Sequence, residues 1–527
     1  MDLKKIFHTL RYLKATQIFH QLKDRIHKPG LKMMKAPGVC SITLKVKPIS
    51  KPRCHEEDDW FTFINITDRF TSWEERRNGN LWAFNLNYMD WLNQDGLSAE
   101  EACQWIDRYI ESMQVNGTGN DPYPTALRCM NWIRLFTLHP EIKKAGYDDA
   151  LFSQCMLLRK RLEYKLLANH LLEELFALLL AAIYFRDNAL YKKAKSGLKR
   201  ELREQFLDDG AHFEQSPMYH CIMTDRLLDC INYVQSYDRQ VKDGDARHNH
   251  DFAIDNDLAQ LLVNTACNAL GHLEAIVYQD GTIPLMNDAA YNIAPTAQEL
   301  FDYAKKLGME WTKKKLADCG YRKLSNGRME LVAKVGKITA TYQPGHSHAD
   351  TLSFELRIDG KPFIVDTGTS TYDKGERRNY ERSSRAHNTV TIDNMDNCEV
   401  WSGFRVGKRP RVDIKVDDPT DIIARHDGFG RAITHERWFF ACDDTLKVRD
   451  IINAKNAVSR LHFAEGTNVT LRDNNTIETD TAVIRLEGAT DITLTSDFYS
   501  TQYNIKKKCQ VAEISFNQTL VHNIELK

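Results

Sequence analysis

The apolar positions of this chain change their period once, near residue 325. Before that point they recur every three to four residues, the spacing of one helix face, in stretches near 99–115, 124–138, 148–167, 170–186, 188–206, 214–236 and 255–276. Ser98 with Glu101 and Thr296 with Glu299 make capping boxes that open helices at either end of this region. Short connectors such as NGTGNDPYP and LDDGAHFEQSP separate the stretches. Consecutive helices with short links predict antiparallel hairpins packed side by side as an incomplete ring of helix pairs. After residue 325 the period is two: TLSFELRI, NTVTID, RVDIKV, RAITHERWFFA, TLKVRDII and TAVIRLE alternate apolar and polar residues between DG, DD and NN turns. So many short strands predict an antiparallel β-sandwich.

Ahead of both regions, Ile6, Leu10, Leu13, Ile18, Leu22 and Ile26 stand at helical spacing among lysines and arginines. This amphipathic helix is expected to pack against the body of the protein, with an anionic membrane surface as the alternative. A Lys/Pro-rich connector without a period follows over 28–58. The organisation predicted is α+β and multidomain: an N-terminal helix and connector (1–79), a helical domain (80–325) and a sandwich (326–527).

Bulk properties narrow the function. With 527 residues, 42% of them hydrophobic, and a net charge of −1, the chain has material for large cores and lacks the basic excess of a dedicated nucleic-acid binder. Any anionic partner must be held by a local cluster. The twelve cysteines occur singly and predict neither a zinc ribbon nor a disulfide framework. The most apolar run, LLEELFALLLAAIYF, carries two glutamates, so no transmembrane segment is expected. The N-terminal residues lack a signal-peptide pattern, which predicts a cytoplasmic protein, or a periplasmic one if an export segment has been trimmed.

Candidate chemistry concentrates between Gly345 and Asn388. His346, His348, Asp350, Asp366 and His387 sit on or beside predicted strands, and on an extended strand His346 and His348 would point the same way. In the helical half, LLANHLLEELFALLL places Asn169, His170, Glu173 and Glu174 within an apolar helix; Asn169 as an N-cap with Glu173 against the dipole is the alternative to a site. DDGAHFEQSPMYH offers His212, Glu214, Tyr219 and His220 around a Gly turn and a Pro-started helix. DPYPTALRCMNWIR offers Tyr123, Arg128, Asn131, Trp132 and Arg134 as a face suited to acidic sugars, though surface arginines look the same. Trp82, Phe84, Tyr88 and Trp91 are sugar platforms or core. Arg377, Arg378, Arg382 and Arg385 form a basic loop, or a solvated one countered by Asp373, Glu376 and Glu381.

Taken in order, LWAFNLNYMDWL, DPYPTALRCMNWIR, NHLLEELFAL, DGAHFEQSPMYH, DGTIPLMND, GHSHADTLSFELRIDGKPFIVDTGTSTYD and RAHNTV resemble the heparinase II/III-like family of polysaccharide lyases. The resemblance implies an incomplete α/α toroid followed by an antiparallel β-sandwich, and β-elimination on uronic-acid-containing polysaccharide, either heparan-sulfate-like or a bacterial surface polymer. It implies that Asn169 binds the uronate carboxylate, that Tyr219 and His346 form the acid/base pair, and that His170 assists. Glu173, Tyr123, Arg128, Trp132 and Arg382 are expected to contact the sugar. His348, Asp366 and His387 match a structural metal site, zinc first among divalent cations; without a metal, Asp366 would orient the histidines. Catabolic members act outside the cytoplasm, and the basic N-terminal extension looks more like members that accompany surface-polysaccharide assembly. A non-catalytic carbohydrate-binding protein of such assembly is therefore the alternative, and a metal-dependent hydrolase a third reading.

Overall fold

The computed structural model describes residues 3–242, 252–442 and 444–527. Met1 and Asp2, the first residues of the expected N-terminal region, and Asp443, in one of the expected turns, lie outside the described residues.

The helical half is built around Ala168–Phe185, in which 94% of an apolar window is buried. By composition this helix is apolar enough to cross a bilayer; here it is the axis of the core. It packs against Pro122–Leu138, Tyr147–Arg161, Asn188–Gln205 and Pro217–Lys242, and Asn256–Ile276 extends the series. An all-round apolar helix is stable in water only when neighbours cover every face, which is what this incomplete toroid supplies. Both capping boxes are present: Ser98 and Thr296 accept from the backbone N–H of Glu101 and Glu299.

The first strand of the second half is Tyr321–Ser325, close to the expected change of period. Ten strands run in one antiparallel path from Val412–Asp417 to Tyr321–Ser325. Its organiser is the long strand Lys507–Leu526, which pairs with Thr445–Ile452 and Ala457–Phe463 on one edge and Ala482–Tyr499 on the other. The curled sheet closes over its own apolar core, including Phe354, Phe439, Phe463 and Phe516. The fold is thus α/α toroid plus antiparallel β-sandwich.

The N-terminal segment departs from expectation. It forms two helices, Leu3–Leu10 and Ala15–Ile26, and the expected packing of their apolar faces on the body is absent. The Arg409 guanidinium lies 3.9 Å over the Tyr12 ring at the break. Gln17 Oε1 accepts from Lys14 N–H at 3.0 Å and restarts the helix.

Candidate active site

A cleft of about 570 Å³ opens between the two halves. Asn169, His170 and Glu173 reach it from Ala168–Phe185, Tyr219 from Pro217–Lys242, and His346, Tyr372 and Phe404 from the sandwich half. Leu167 and Ala168 have φ of 62° and 54°, a region that costs a non-glycine residue about 1–3 kcal/mol. This bend sets Asn169 in the first helical turn, 3% exposed, so Asn169 is not the N-cap. Nor does Glu173 serve the helix dipole: it accepts from Arg226 Nε at 2.9 Å, and its other oxygen is buried without a partner. Glu214 accepts from the backbone N–H of Asn169 at 3.0 Å and brings its second oxygen to 3.3 Å from His346 Nε2. Burial pushes both the Glu173 and the Glu214 carboxyls up. His170 Nδ1 lies 2.7 Å from Glu163; burial alone would lower its pKa, and Glu163 outweighs this and raises it.

Tyr219 and His346 face each other with ring centroids 4.0 Å apart. The Tyr219 hydroxyl is 3.3 Å from that of Tyr372, and burial holds the phenol well above its ordinary range, so it keeps its proton. The His346-x-His348 pair, expected on a strand, lies in a loop. The two rings nevertheless converge, on Asp288: His346 Nδ1 is 2.9 Å from Oδ2 and His348 Nε2 is 2.9 Å from Oδ1. Arg378 donates to both Asp288 oxygens. Burial alone would raise the Asp288 carboxyl; the guanidinium and the two imidazoles overcome it and hold it well below the carboxylate range. A carboxylate so fixed sets the orientation of the His346 ring.

The heparinase II/III N-terminus model matches residues 148–292, and the heparinase II/III-like C-terminal model matches residues 308–523. The chain belongs to the heparinase II/III-like family. Among curated relatives, a heparin-sulfate lyase of Pedobacter heparinus is 27% identical over 256 residues, 43% of this chain and 36% of that protein. A heparin-sulfate lyase of Bacteroides stercoris is 22% identical over 335 residues, 57% of this chain and 46% of that protein. The matched stretches thus span less than half the length of either relative. A crystal structure of heparinase III aligns with a TM-score of 0.64 at 16% identity, over 87% of this chain and 79% of that one. The heparan sulfate lyase of Pedobacter heparinus aligns with 0.55 at 17% identity, over 97% and 88%. These two agree with the fold described above.

Of the residues expected at the catalytic site or on the sugar, Asn169, His170, Glu173, Tyr219, His346 and Tyr123 line the cleft. Arg128, Trp132 and Arg382 do not. Arg128 is fully buried and donates to Gln154 and to the carbonyls of Asn87 and Gly119. Trp132 is core, with its N–H on Met89 sulfur, and Arg382 donates to the Ser347, Trp401 and Arg405 carbonyls. All three satisfy backbone or core partners because a buried guanidinium or indole N–H left unpaired is costly. The basic loop dissolves in the same way: Arg377 pairs with Glu381 and Arg378 with Asp288, leaving Arg385 exposed. Phe84 and Tyr88 line the cleft, while Trp82 and Trp91 are core. Asp288, Tyr372 and Arg226 were not legible as site residues; the only trace of Asp288 is the motif DGTIPLMND.

The residues matched to a metal site are buried near one another. His387 Nδ1 is 2.7 Å from Asp366, and the His387 and His348 rings are 5.3 Å apart. His348 Nδ1, His387 Nε2 and Asp350 Oδ2 are buried without partners, a donor set suited to a divalent cation. Asp366 orients the His387 ring. Among the described residues the group whose ligand atoms all fall within 4.8 Å is a different one: Asp209, His272 and Cys319. There the Asp209 carboxylate already accepts the backbone N–H groups of Ala211, Ala317 and Cys319.

Proposed function

We propose that this protein is a polysaccharide lyase that cleaves a uronic-acid-containing polymer of low sulfation by β-elimination. The observation that carries the reading is the Tyr219–His346 pair, with ring centroids 4.0 Å apart and planes tilted by 30°, in the cleft that Asn169 also lines. Elimination requires that the C5 proton leave as C4–O4 breaks, that the electron pair form the C4=C5 double bond, and that a proton reach the departing O4. Charge building on the uronate carboxylate must be stabilised throughout, and preorganised dipoles and donors aimed at such charge usually accelerate a reaction more than any other single effect.

The Asn169 amide is placed to donate to that carboxylate. Burial raises the Glu173 and Glu214 carboxyls; Glu173 keeps a buried oxygen that lacks a hydrogen-bond partner, and the second Glu214 oxygen lies 3.3 Å from His346 Nε2. His346, with Nδ1 anchored on Asp288, presents Nε2 as the base for C5–H. Tyr219, protonated at rest, is the donor to O4. A divalent cation held by His348, His387 and Asp350, with Asp366 orienting the His387 ring, would supply fixed positive charge there.

Low sulfation follows from the cleft's charges. Its lining carries Asp90, Asp121, Glu163, Glu173 and Glu214. Among the described residues the lining's basic side chains other than His346 are Lys165, Arg226 and His170, and each is already paired, His170 with Glu163 at 2.7 Å. Lys165 lies 3.2 Å from Asp24, and Arg226 is engaged by Glu173 and Asp225. Nothing there offers the forked cations that sulfate groups call for.

Far-ultraviolet absorbance of the unsaturated product, followed on a panel of uronate polymers, tests the reading. A rise with wild type that Tyr219→Phe reduces by about 100-fold or more, with polymer still bound, is expected. No rise on any polymer, with binding intact, would leave a carbohydrate-binding protein instead.

A further inference from the structure

The two N-terminal helices are turned inside out relative to an ordinary surface helix. Leu3, Phe7 and Leu10 recur on one side of the first and are 79%, 68% and 48% exposed. On the second, Ile18, Phe19, Leu22 and Ile26 are 45%, 63%, 54% and 87% exposed, and Gln17 is its one buried residue. The polar sides hold the body. His8 Nδ1 lies 2.9 Å from Glu399, Trp401 Nε1 donates to Thr9 at 3.2 Å, Lys14 pairs with Glu204, and Gln17 donates to the Leu166 and Tyr342 carbonyls. A helix that packs for the sake of its own fold buries its apolar stripe; these leave theirs in solvent.

Charge names the occupant. Residues 3–35 carry nine lysines and arginines against one acid, Asp24, in a chain whose net charge is −1. Lys23 and Arg25 are exposed on the second helix, and Arg11 in the turn before it and Lys32 in the segment after it are exposed as well. A second copy docking on the same face would bring these cations together, whereas an anionic lipid surface meets both requirements, apolar and cationic. At 8 and 12 residues the helices are too short to span a bilayer.

We propose that this helix pair binds the surface of an anionic lipid bilayer, lying in its interfacial plane with Phe7, Phe19, Leu22 and Ile26 among the acyl chains and the neighbouring cations on lipid phosphates. The attachment would hold the toroid and sandwich at a membrane face.

The test is cosedimentation of the full chain with vesicles of phosphatidylcholine alone or mixed with phosphatidylglycerol. Binding to the mixed vesicles about tenfold or more above the neutral ones, weakened by salt, is expected. The double variant Phe7→Glu, Phe19→Glu changes only exposed positions, so its circular dichroism and Tm should match wild type while its vesicle binding falls about tenfold or more. Wild type that stays in the supernatant with both vesicles overturns the proposal, as does a folded double variant that sediments like wild type. Self-association of wild type that the double variant loses, without vesicle binding, overturns it in favour of a second copy.

Discussion

At the scale of single residues, type and sequence context located the acid/base candidates but not the direction of side chains. Asn169, Tyr219 and His346 were legible because each stands in a motif whose polar members interrupt an apolar or turn pattern. Arg128, Trp132 and Arg382 were misread as sugar contacts because a guanidinium or indole looks the same in a sequence whether it faces a cleft or a backbone carbonyl. Asp288 escaped because it follows the apolar stretch IPLMN with no period to set its orientation. Burial also sets a pH dependence. His212 and His522 are enclosed, and burial lowers them to about 3 and about 4. Unfolded histidine takes its proton near pH 6.5. Below that the unfolded state binds the extra protons, so this stability is complete above about pH 6.5 and is lost as the pH falls toward 4, by up to about 1.4 kcal/mol per pH unit for each ring. Thermal melts should show Tm declining below about pH 6.5; a flat Tm down to about pH 4.5 would show that these rings titrate normally.

At the scale of elements, periods of 3.6 and 2 identified helices and strands well, and failed where tertiary contacts act on the backbone. The His346-x-His348 segment reads as a strand by its flanks, yet it is a loop, held by Asp288 and by backbone bonds such as Ala349 N–H to the Arg382 carbonyl. In the sandwich, alternation predicted His435–Cys442 and Thr445–Ile452, but not the charges sealed between them. Arg437 and Asp450 are register partners with no exposed side-chain surface, and His435 Nε2 is 2.7 Å from the same carboxylate. Asp450→Asn should cost about 3–5 kcal/mol, because it leaves the Arg437 guanidinium buried without its counter-charge. Denaturant unfolding measures this. A loss under about 1 kcal/mol would mean that water or a neighbour replaces the carboxylate.

At the scale of the whole molecule, a net charge of −1 conceals a division: the basic N-terminal helices lie outside the cleft, and carboxyl groups line it. Catalysis that depends on neutralising dense sulfate would need the reverse. An unsulfated glucuronate or iduronate polymer should therefore be cleaved about tenfold or more faster than heparin, read from initial rates of far-ultraviolet absorbance at one salt concentration. Heparin as the better substrate would refute the low-sulfation reading while leaving elimination intact. The sequence by itself determined the order of elements, the toroid-to-sandwich switch near residue 325 and the motifs bearing the proposed acid/base pair, since periodicity and turn chemistry are local properties of the chain. Only the tertiary structure decided which polar groups face the cleft, that Asp288 fixes His346, and that the N-terminal helices turn their apolar sides outward. Those outcomes depend on burial and pairing between segments up to hundreds of residues apart, as when His8 of the first helix meets Glu399 of the sandwich.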